Sequence, residues 1–178
     1  NVSIISSTSN FDLKINSGGK SFTFNGENWQ NDTYFNSGNT YTNPTTIYGT
    51  ENDALYQKER WGSFSYAIPV PANGFFNVNL HFAEIFYGVK SSGGVGSRVF
   101  NVDVENGQGS LMNYDIIESA GGAQTAVVES FTVEVLDGLL DINFLPVIDN
   151  PKISGIEVSG PITNITSGRL KYYFIENN

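Results

Sequence analysis

The sequence predicts an all-β domain, a β-sandwich or jelly roll, on three observations. Apolar residues recur at every second position in many short segments, the mark of strands with one buried face. Gly, Asn, Ser, Thr and Pro cluster between those segments as turn signals. Helix signals are weak throughout, and the sum of about ten short strands with frequent turns fits sandwich architectures.

The elements follow in order. Phe11, Leu13 and Ile15 alternate with Asp12 and Lys14 and predict a first strand, closed by Asn16-Ser17-Gly18-Gly19. Ser21 to Phe24 reads as a second. From Gly26 to Tyr48 no regular pattern is visible, but Trp29, Tyr34, Phe35 and Tyr41 argue against disorder, so an ordered loop lying on the domain is expected. Phe64, Tyr66 and Ile68 alternate with Ser63, Ser65 and Ala67. Pro69, Pro71 and Asn73-Gly74 then reverse the chain, and Phe76, Val78, Leu80 and Phe82 alternate again, predicting two adjacent antiparallel strands. The pattern stops in Glu84-Ile85-Phe86-Tyr87-Gly88. Were the strand to continue, Phe86 and Tyr87 would face opposite ways, so one ring would lie in solvent.

Lys90 to Gly96 reads as a turn, Val99 to Glu105 as a strand, and Leu111 to Ile116 as a short extended piece. Val127 to Leu136 predicts a strand, Asp137-Gly138 a hairpin turn and Leu139 to Phe144 its partner. Pro146 to Pro151 reads as a loop, Ile153 to Val158 as the last strand, and Gly160-Pro161 as its end. Residues 1–10 are thus expected to be a linker, 11–160 the domain, and 161–178 a tail or the start of a following linker, with Leu170 to Ile175 as one further strand. The chain opens on Asn1 rather than methionine, which predicts a segment of something longer.

Composition narrows the function. The 178 residues suit one domain and carry no cysteine, so neither a disulfide framework nor a cysteine-zinc site exists. A net charge of -9 argues against nucleic acid or an anionic membrane surface as partner. No apolar run approaches the roughly 20 residues that span a bilayer, so no membrane insertion is expected. Three sequons, at Asn1, Asn31 and Asn164, matter only in a host that glycosylates. The Asn/Gly/Thr-rich composition reads as bacterial.

Five blocks carry a resemblance. Ile15-Asn16-Ser17-Gly18-Gly19, Leu55-Tyr56-Gln57-Lys58-Glu59-Arg60, Phe82-Ala83-Glu84-Ile85-Phe86-Tyr87, Arg98-Val99-Phe100-Asn101-Val102 and Asp149-Asn150-Pro151-Lys152-Ile153 are similar in order and spacing to the malectin family. The resemblance implies a galactose-binding-like β-sandwich and non-catalytic carbohydrate binding, as in the animal lectin for glucose-containing disaccharides and in bacterial modules of secreted enzymes or surface proteins. It implies an extracellular or cell-surface setting with covalently linked neighbouring domains. Carried over by position, the sugar site would comprise Trp61, Phe86, Tyr87 and Asp149, with Tyr41 matched across a two-residue gap. Trp61 stands where the lectin has Tyr, and Phe86-Tyr87 reverses its Tyr-Phe pair, which bears on its diglucose preference.

The residue chemistry agrees. A pyranose offers an apolar C–H face and a rim of hydroxyls, so a neutral sugar needs aromatic plates and a few placed polar groups. A carboxylate such as Asp149 accepts from two hydroxyls, with bonds roughly twice as strong as neutral ones. Each residue also has a structural reading: Trp61 and Phe86 as core, Asp149 as a turn residue bonding nearby backbone amides. Glu59 and Arg60 read as ion-pair formers, and His81 as a hydrogen-bonded structural histidine. A glycoside hydrolase would need two carboxylates about 5 to 10 Å apart, for which Glu84 and Asp149 are the best pair. Against that, Glu84 belongs to a block shared with a non-catalytic family. Asp103 and Glu105 share a strand face, where structural calcium is conceivable but without loop-ligand spacing; no cofactor or metal is expected. The alternative is an adhesion or spacer domain that binds no glycan.

Overall fold

The computed structural model describes residues 11–162. The expected linker at 1–10 and the further strand at Leu170 to Ile175 lie outside the described residues. In chain order the strands are Phe11–Asn16 (β1), Phe22–Phe24 (β2), Glu27–Asn31 (β3), Asn39–Thr42 (β4), Lys58–Trp61 (β5), Phe64–Pro69 (β6), Gly74–Phe82 (β7), Val99–Val104 (β8), Gly109–Tyr114 (β9), Val127–Val135 (β10), Leu139–Ile148 (β11), Lys152–Ile153 (β12) and Gly155–Ile162 (β13). Two one-turn helices, Asp53–Tyr56 (α1) and Ile116–Ala120 (α2), interrupt them.

A six-stranded sheet of order β10-β7-β13-β1-β3-β2 faces a four-stranded sheet of order β6-β11-β8-β9. Their inward residues, among them Phe64, Tyr66, Phe76, Val78, Leu80, Phe82, Phe100 and Phe144, form one buried cluster. Each such side chain contributes roughly 1.5–3 kcal/mol relative to exposure. A third sheet, β12-β5-β4, closes one end. Beside it lies a smaller cluster of Trp29, Ile47, Leu55, Tyr56, Ala83 and Ile85. The fold is the all-β sandwich that alternation predicts.

Both expected hairpins are instead arches from one sheet to the other. β6 pairs with β11, while β7 pairs with β10 and β13. Likewise β10 and β11, on either side of Asp137-Gly138, lie in different sheets. Each strand has one apolar face, and an arch turns two such faces toward each other across the core, which a flat hairpin does not. The two arches lie side by side: the Val70 amide donates to Gly138 O at 3.0 Å and Asn73 Nδ2 donates to Leu136 O at 2.6 Å.

The stretch from Gly26 to Tyr48 is not one long loop, since it contains β3 and β4. Trp29 is buried and pairs with Phe22 across β3–β2, and Tyr41 pairs with Glu59 across β4–β5. The expected extended piece at Leu111 to Ile116 ends at Tyr114. Asp115 then caps α2, its carboxylate accepting from the Ile117 and Glu118 amides. β11 runs on through Pro146 to Ile148, past a register shift, where a loop was expected. The last expected strand divides at Ser154, with Lys152 and Ile153 joining β5 and the rest joining β7 and β1. β13 continues past Gly160-Pro161 to Ile162, opposite Phe75.

Candidate functional site

β7 ends at Phe82, so the two adjacent rings escape strand alternation altogether. Beyond it Ala83, Glu84 and Ile85 are buried, and Phe86 and Tyr87 are both half-buried. The loop is built around Glu84, whose Oε1 accepts from the Phe86 amide at 2.9 Å and the Tyr87 amide at 3.2 Å. Asn43 Nδ2 donates to Ile85 O at 2.9 Å and ties the same loop to the chain after β4. Two rings are thereby presented at the rim, on a loop whose peptide groups are tied down by the Glu84 and Asn43 side chains.

The opposite wall comes from the small sheet. In antiparallel register Tyr41 faces Glu59, and Trp61 lies two residues further along β5, on the same face. Trp61 is half-buried and pairs with Lys152 of β12, which brings the Asp149 turn alongside. Asp149 sits in left-handed backbone, φ 57°, a conformation that Asp tolerates better than most residues.

The structure brings all five residues marked in the sequence to one cleft of about 250 Å³, lined by Tyr41, Trp61, Phe86, Tyr87 and Asp149. Glu59, Arg98 and Asn150 complete the lining, and sequence reasoning assigned none of them to the site. The Tyr41 and Phe86 rings meet edge-on with centroids 5.9 Å apart, and Phe86 and Tyr87 likewise at 5.1 Å. None of the site rings belongs to the buried core, so the core reading of Trp61 and Phe86 does not describe the structure. Asp149 accepts from side-chain donors, Tyr87 Oη at 3.1 Å and Asn150 Nδ2 at 3.0 Å, rather than from nearby backbone amides.

Arg98 connects these polar groups. Its Nε donates to Glu84 Oε2 at 2.7 Å, and its terminal nitrogen lies 3.5 Å from Asp149 Oδ2 and donates to the Asn150 carbonyl. The guanidinium carbon stands 5.3 Å from the Tyr87 ring centroid. Arg98 is itself buried, as is its partner Glu84. A buried carboxylate demands a cation, and the presence of Glu84 in a strand-end block was the signal that could have marked Arg98. Burial opposes the ionisation of Glu84, but the Lys152 ammonium, Arg98 and the Phe86 amide outweigh it and hold the carboxyl below its ordinary value. Burial pushes Glu59 up, with its ion-pair partner Lys152 pulling against it. The hydrogen bond donated to Asp149 raises the Tyr87 phenol.

Glu84 and Asp149 therefore do not form an acid–base pair across a cleft. Glu84 is buried, ionised and held by three donors, with Arg98 between it and Asp149. Glu59 and Arg60 do form ion pairs, with Lys152 and with Asp32 at 2.7 Å. His81 is the structural histidine expected, its Nδ1 2.8 Å from Tyr56 Oη. Among the described residues no group of three or more His, Cys, Asp or Glu could hold a metal ion. No helix among them is long and apolar enough to cross a membrane.

The family model described as "Malectin domain" matches residues 11–156. The chain is 32% identical over 132 residues to the kinesin-like protein KIN-14E of Oryza sativa subsp. japonica, covering 70% of this chain and 12% of that protein. It is 27% identical over 164 residues to a probable leucine-rich repeat receptor-like serine/threonine-protein kinase of Arabidopsis thaliana, covering 74% of this chain and 16% of the kinase. The chain thus spans well under a quarter of the curated relatives it matches. These relatives are plant proteins, and they lend no support to the bacterial origin expected from composition. Among solved structures, the extracellular domain of ANXUR1 from Arabidopsis thaliana superposes with a TM-score of 0.72 at 19% identity, covering 85% of this chain and 48% of that one. A β-glucuronidase of Bacteroides uniformis gives 0.68 at 18% identity, covering 83% of this chain and 18% of the enzyme. Both share its fold. With the matched segment running through all three sheets and every wall of the cleft, this chain belongs to the Malectin domain family of carbohydrate-binding domains.

Proposed function

We propose that the cleft binds a short neutral oligosaccharide, glucose-containing or a stretch of glucan, without catalysing a reaction on it. One observation carries the reading: Tyr41, Trp61, Phe86, Tyr87 and Asp149, the residues that the family resemblance implies, line a single cleft whose polar members are already held in place. Trp61, Phe86 and Tyr87 supply plates for the C–H face of a pyranose. Asp149 accepts from ring hydroxyls, and Arg98, 3.5 Å away, holds its orientation. Tyr41 closes the side against Phe86. Tyr87 is fixed at its amide by Glu84 and at its hydroxyl by Asp149, so little freedom is lost on binding. Affinity is expected in the range of roughly micromolar to millimolar, since each sugar hydroxyl exchanges water bonds for protein bonds at small net gain.

In this reading the domain is one module of a longer extracellular or surface protein, which the receptor-like kinase relatives support. Multivalency in that protein would raise the avidity. The test is calorimetric titration with maltose, nigerose, laminari-oligosaccharides and galactose-based oligomers. Saturable binding to one of these is expected, weakened at least about tenfold by Trp61→Ala and by Asp149→Ala while both variants stay folded. Absence of binding across the panel by the folded protein would instead favour an adhesion or spacer domain.

A further inference from the structure

The small sheet that carries one wall of the cleft has a second face. Alternation along β4 and β5 sends Tyr41, Glu59 and Trp61 to the cleft, and Thr40, Lys58 and Arg60 to the other side. There they line a separate groove of about 600 Å³ with Lys20, Phe22, Asp32 and Phe35.

The charge of this groove is opposite to that of the molecule. Three cations, Lys20, Lys58 and Arg60, stand against one carboxylate, Asp32, in a chain whose net charge is -9. Arg60 is fully engaged: Nε and a terminal nitrogen bind Asp32 Oδ2 at 2.8 and 2.7 Å, the other terminal nitrogen donates to Ser37 O at 2.7 Å, and the guanidinium lies 3.3 Å from the Phe35 ring centroid. Lys20 and Lys58 make no ion pair among the described residues, whereas Lys14, Arg60, Arg98 and Lys152 each make at least one. Two uncommitted ammonium groups therefore face one groove.

The groove also lies between two sheet edges. β2 ends the six-stranded sheet and β4 ends the three-stranded one, and each contributes lining residues. An end strand leaves a row of backbone N–H and C=O groups for an added strand. A neutral saccharide is a poor fit, because the aromatic residues here are Phe22 and Phe35, without polar tips, and Arg60 covers one face of Phe35. Nucleic acid is excluded by the small local charge against the acidic whole. The rest of the chain does not supply an acidic occupant: residues 1–10 contain no Asp or Glu, and residues 163–178 hold Glu176 against Arg169 and Lys171.

We propose that this groove docks an extended acidic polypeptide segment of a partner, its carboxylates on Lys20 and Lys58 and its backbone added to an exposed sheet edge. The test is fluorescence anisotropy of the domain with a labelled peptide of alternating Glu and Thr, beside its Lys/Thr counterpart and an oligoglucuronate of equal charge. The Glu/Thr peptide is expected to bind, more weakly as salt rises. The Lys/Thr peptide is expected not to bind, and N-methylation of alternate amides should reduce affinity. The double variant Lys20→Gln with Lys58→Gln should lose about tenfold or more, while binding of neutral oligosaccharide in the cleft stays as in the unaltered protein. Lys20→Glu alone, at an exposed position, repeats the test should the double variant unfold. The proposal is overturned if the Glu/Thr peptide does not bind, if it binds the lysine variants equally well, or if N-methylation leaves affinity unchanged. Tighter binding of the oligoglucuronate would make the occupant a saccharide and overturn it as well.

Discussion

Arg98 is the residue on which the cleft depends most, because its donors reach Glu84, Asn150 and the Asp149 carboxylate while its plane lies over Tyr87. Removing it leaves Glu84 as a buried charge beside a single remaining ammonium. Arg98→Ala is expected to cost about 3 kcal/mol or more in urea unfolding, whereas Arg98→Lys, which keeps the charge but loses the fork, should cost less and still weaken sugar binding. A stability within error of the unaltered protein would show that Lys152 alone suffices. Glu157 gives a prediction in pH. The His81 imidazole, 3.8 Å from Oε2, acts first, then burial opposes, and the Asn79 amide and Lys14 add to the pull. Together they lower the carboxyl from 4.5 to about 2. A depressed folded-state value means that the ionised form stabilises the fold; the contribution is complete above about 4.5 and vanishes as pH falls through about 2. The melting-temperature gap between the unaltered protein and Glu157→Gln should therefore close as pH falls from that upper limit toward the lower one. A gap that persists unchanged in strong acid would contradict the assignment.

At the scale of elements, the turn after β1 holds the small sheet in place. Gly18 has φ +75°, and a Cβ there would stand 2.1 Å from the Glu59 carbonyl oxygen of β5. Its amide donates to Asp32 Oδ2 at 2.6 Å, and the same carboxylate accepts from Tyr66 Oη at 2.8 Å and from Arg60. One buried side chain thus joins the β1 turn, β5 and β6. Gly18→Ala meets both a backbone clash and a strained φ, so a loss of about 2–4 kcal/mol is expected in thermal or urea unfolding. Sugar affinity should fall with it, because Glu59 and Trp61 lie on the displaced strand. Retention of both stability and binding would mean that the turn is free to move away from β5. The Asn-Ser-Gly-Gly turn was legible in the sequence, but its contact with β5 was not, since 40 residues of chain separate Gly18 from Lys58.

For the whole molecule, local chemistry and long-range pairing contributed different things. Alternation of apolar residues along β1, β6, β7 and β8 is a property of each segment, set by the two-residue period of a strand, and it sufficed to determine an all-β domain with one buried face per strand. The types of the cleft residues were equally local, because an aromatic ring or a carboxylate keeps its chemistry wherever the chain takes it. Pairing is not local. Whether Pro69 to Gly74 and Asp137-Gly138 close hairpins or arches depends on which partner buries the apolar face more completely. For β6 that partner is β11, about 75 residues away, and not β7 across the turn. β3 and β4 were invisible for the same reason, since their pairing with β1, β2 and β5, and not their own pattern, makes them strands. The sequence by itself determined the fold class and the chemistry available to the cleft. The tertiary structure alone decided that Tyr41, Trp61, Phe86, Tyr87 and Asp149 meet, that Arg98 and Glu84 lie beneath them, and that β5 divides an aromatic cleft from a cationic groove. Those juxtapositions follow from burying charges and apolar faces together, a condition that only the folded chain can satisfy.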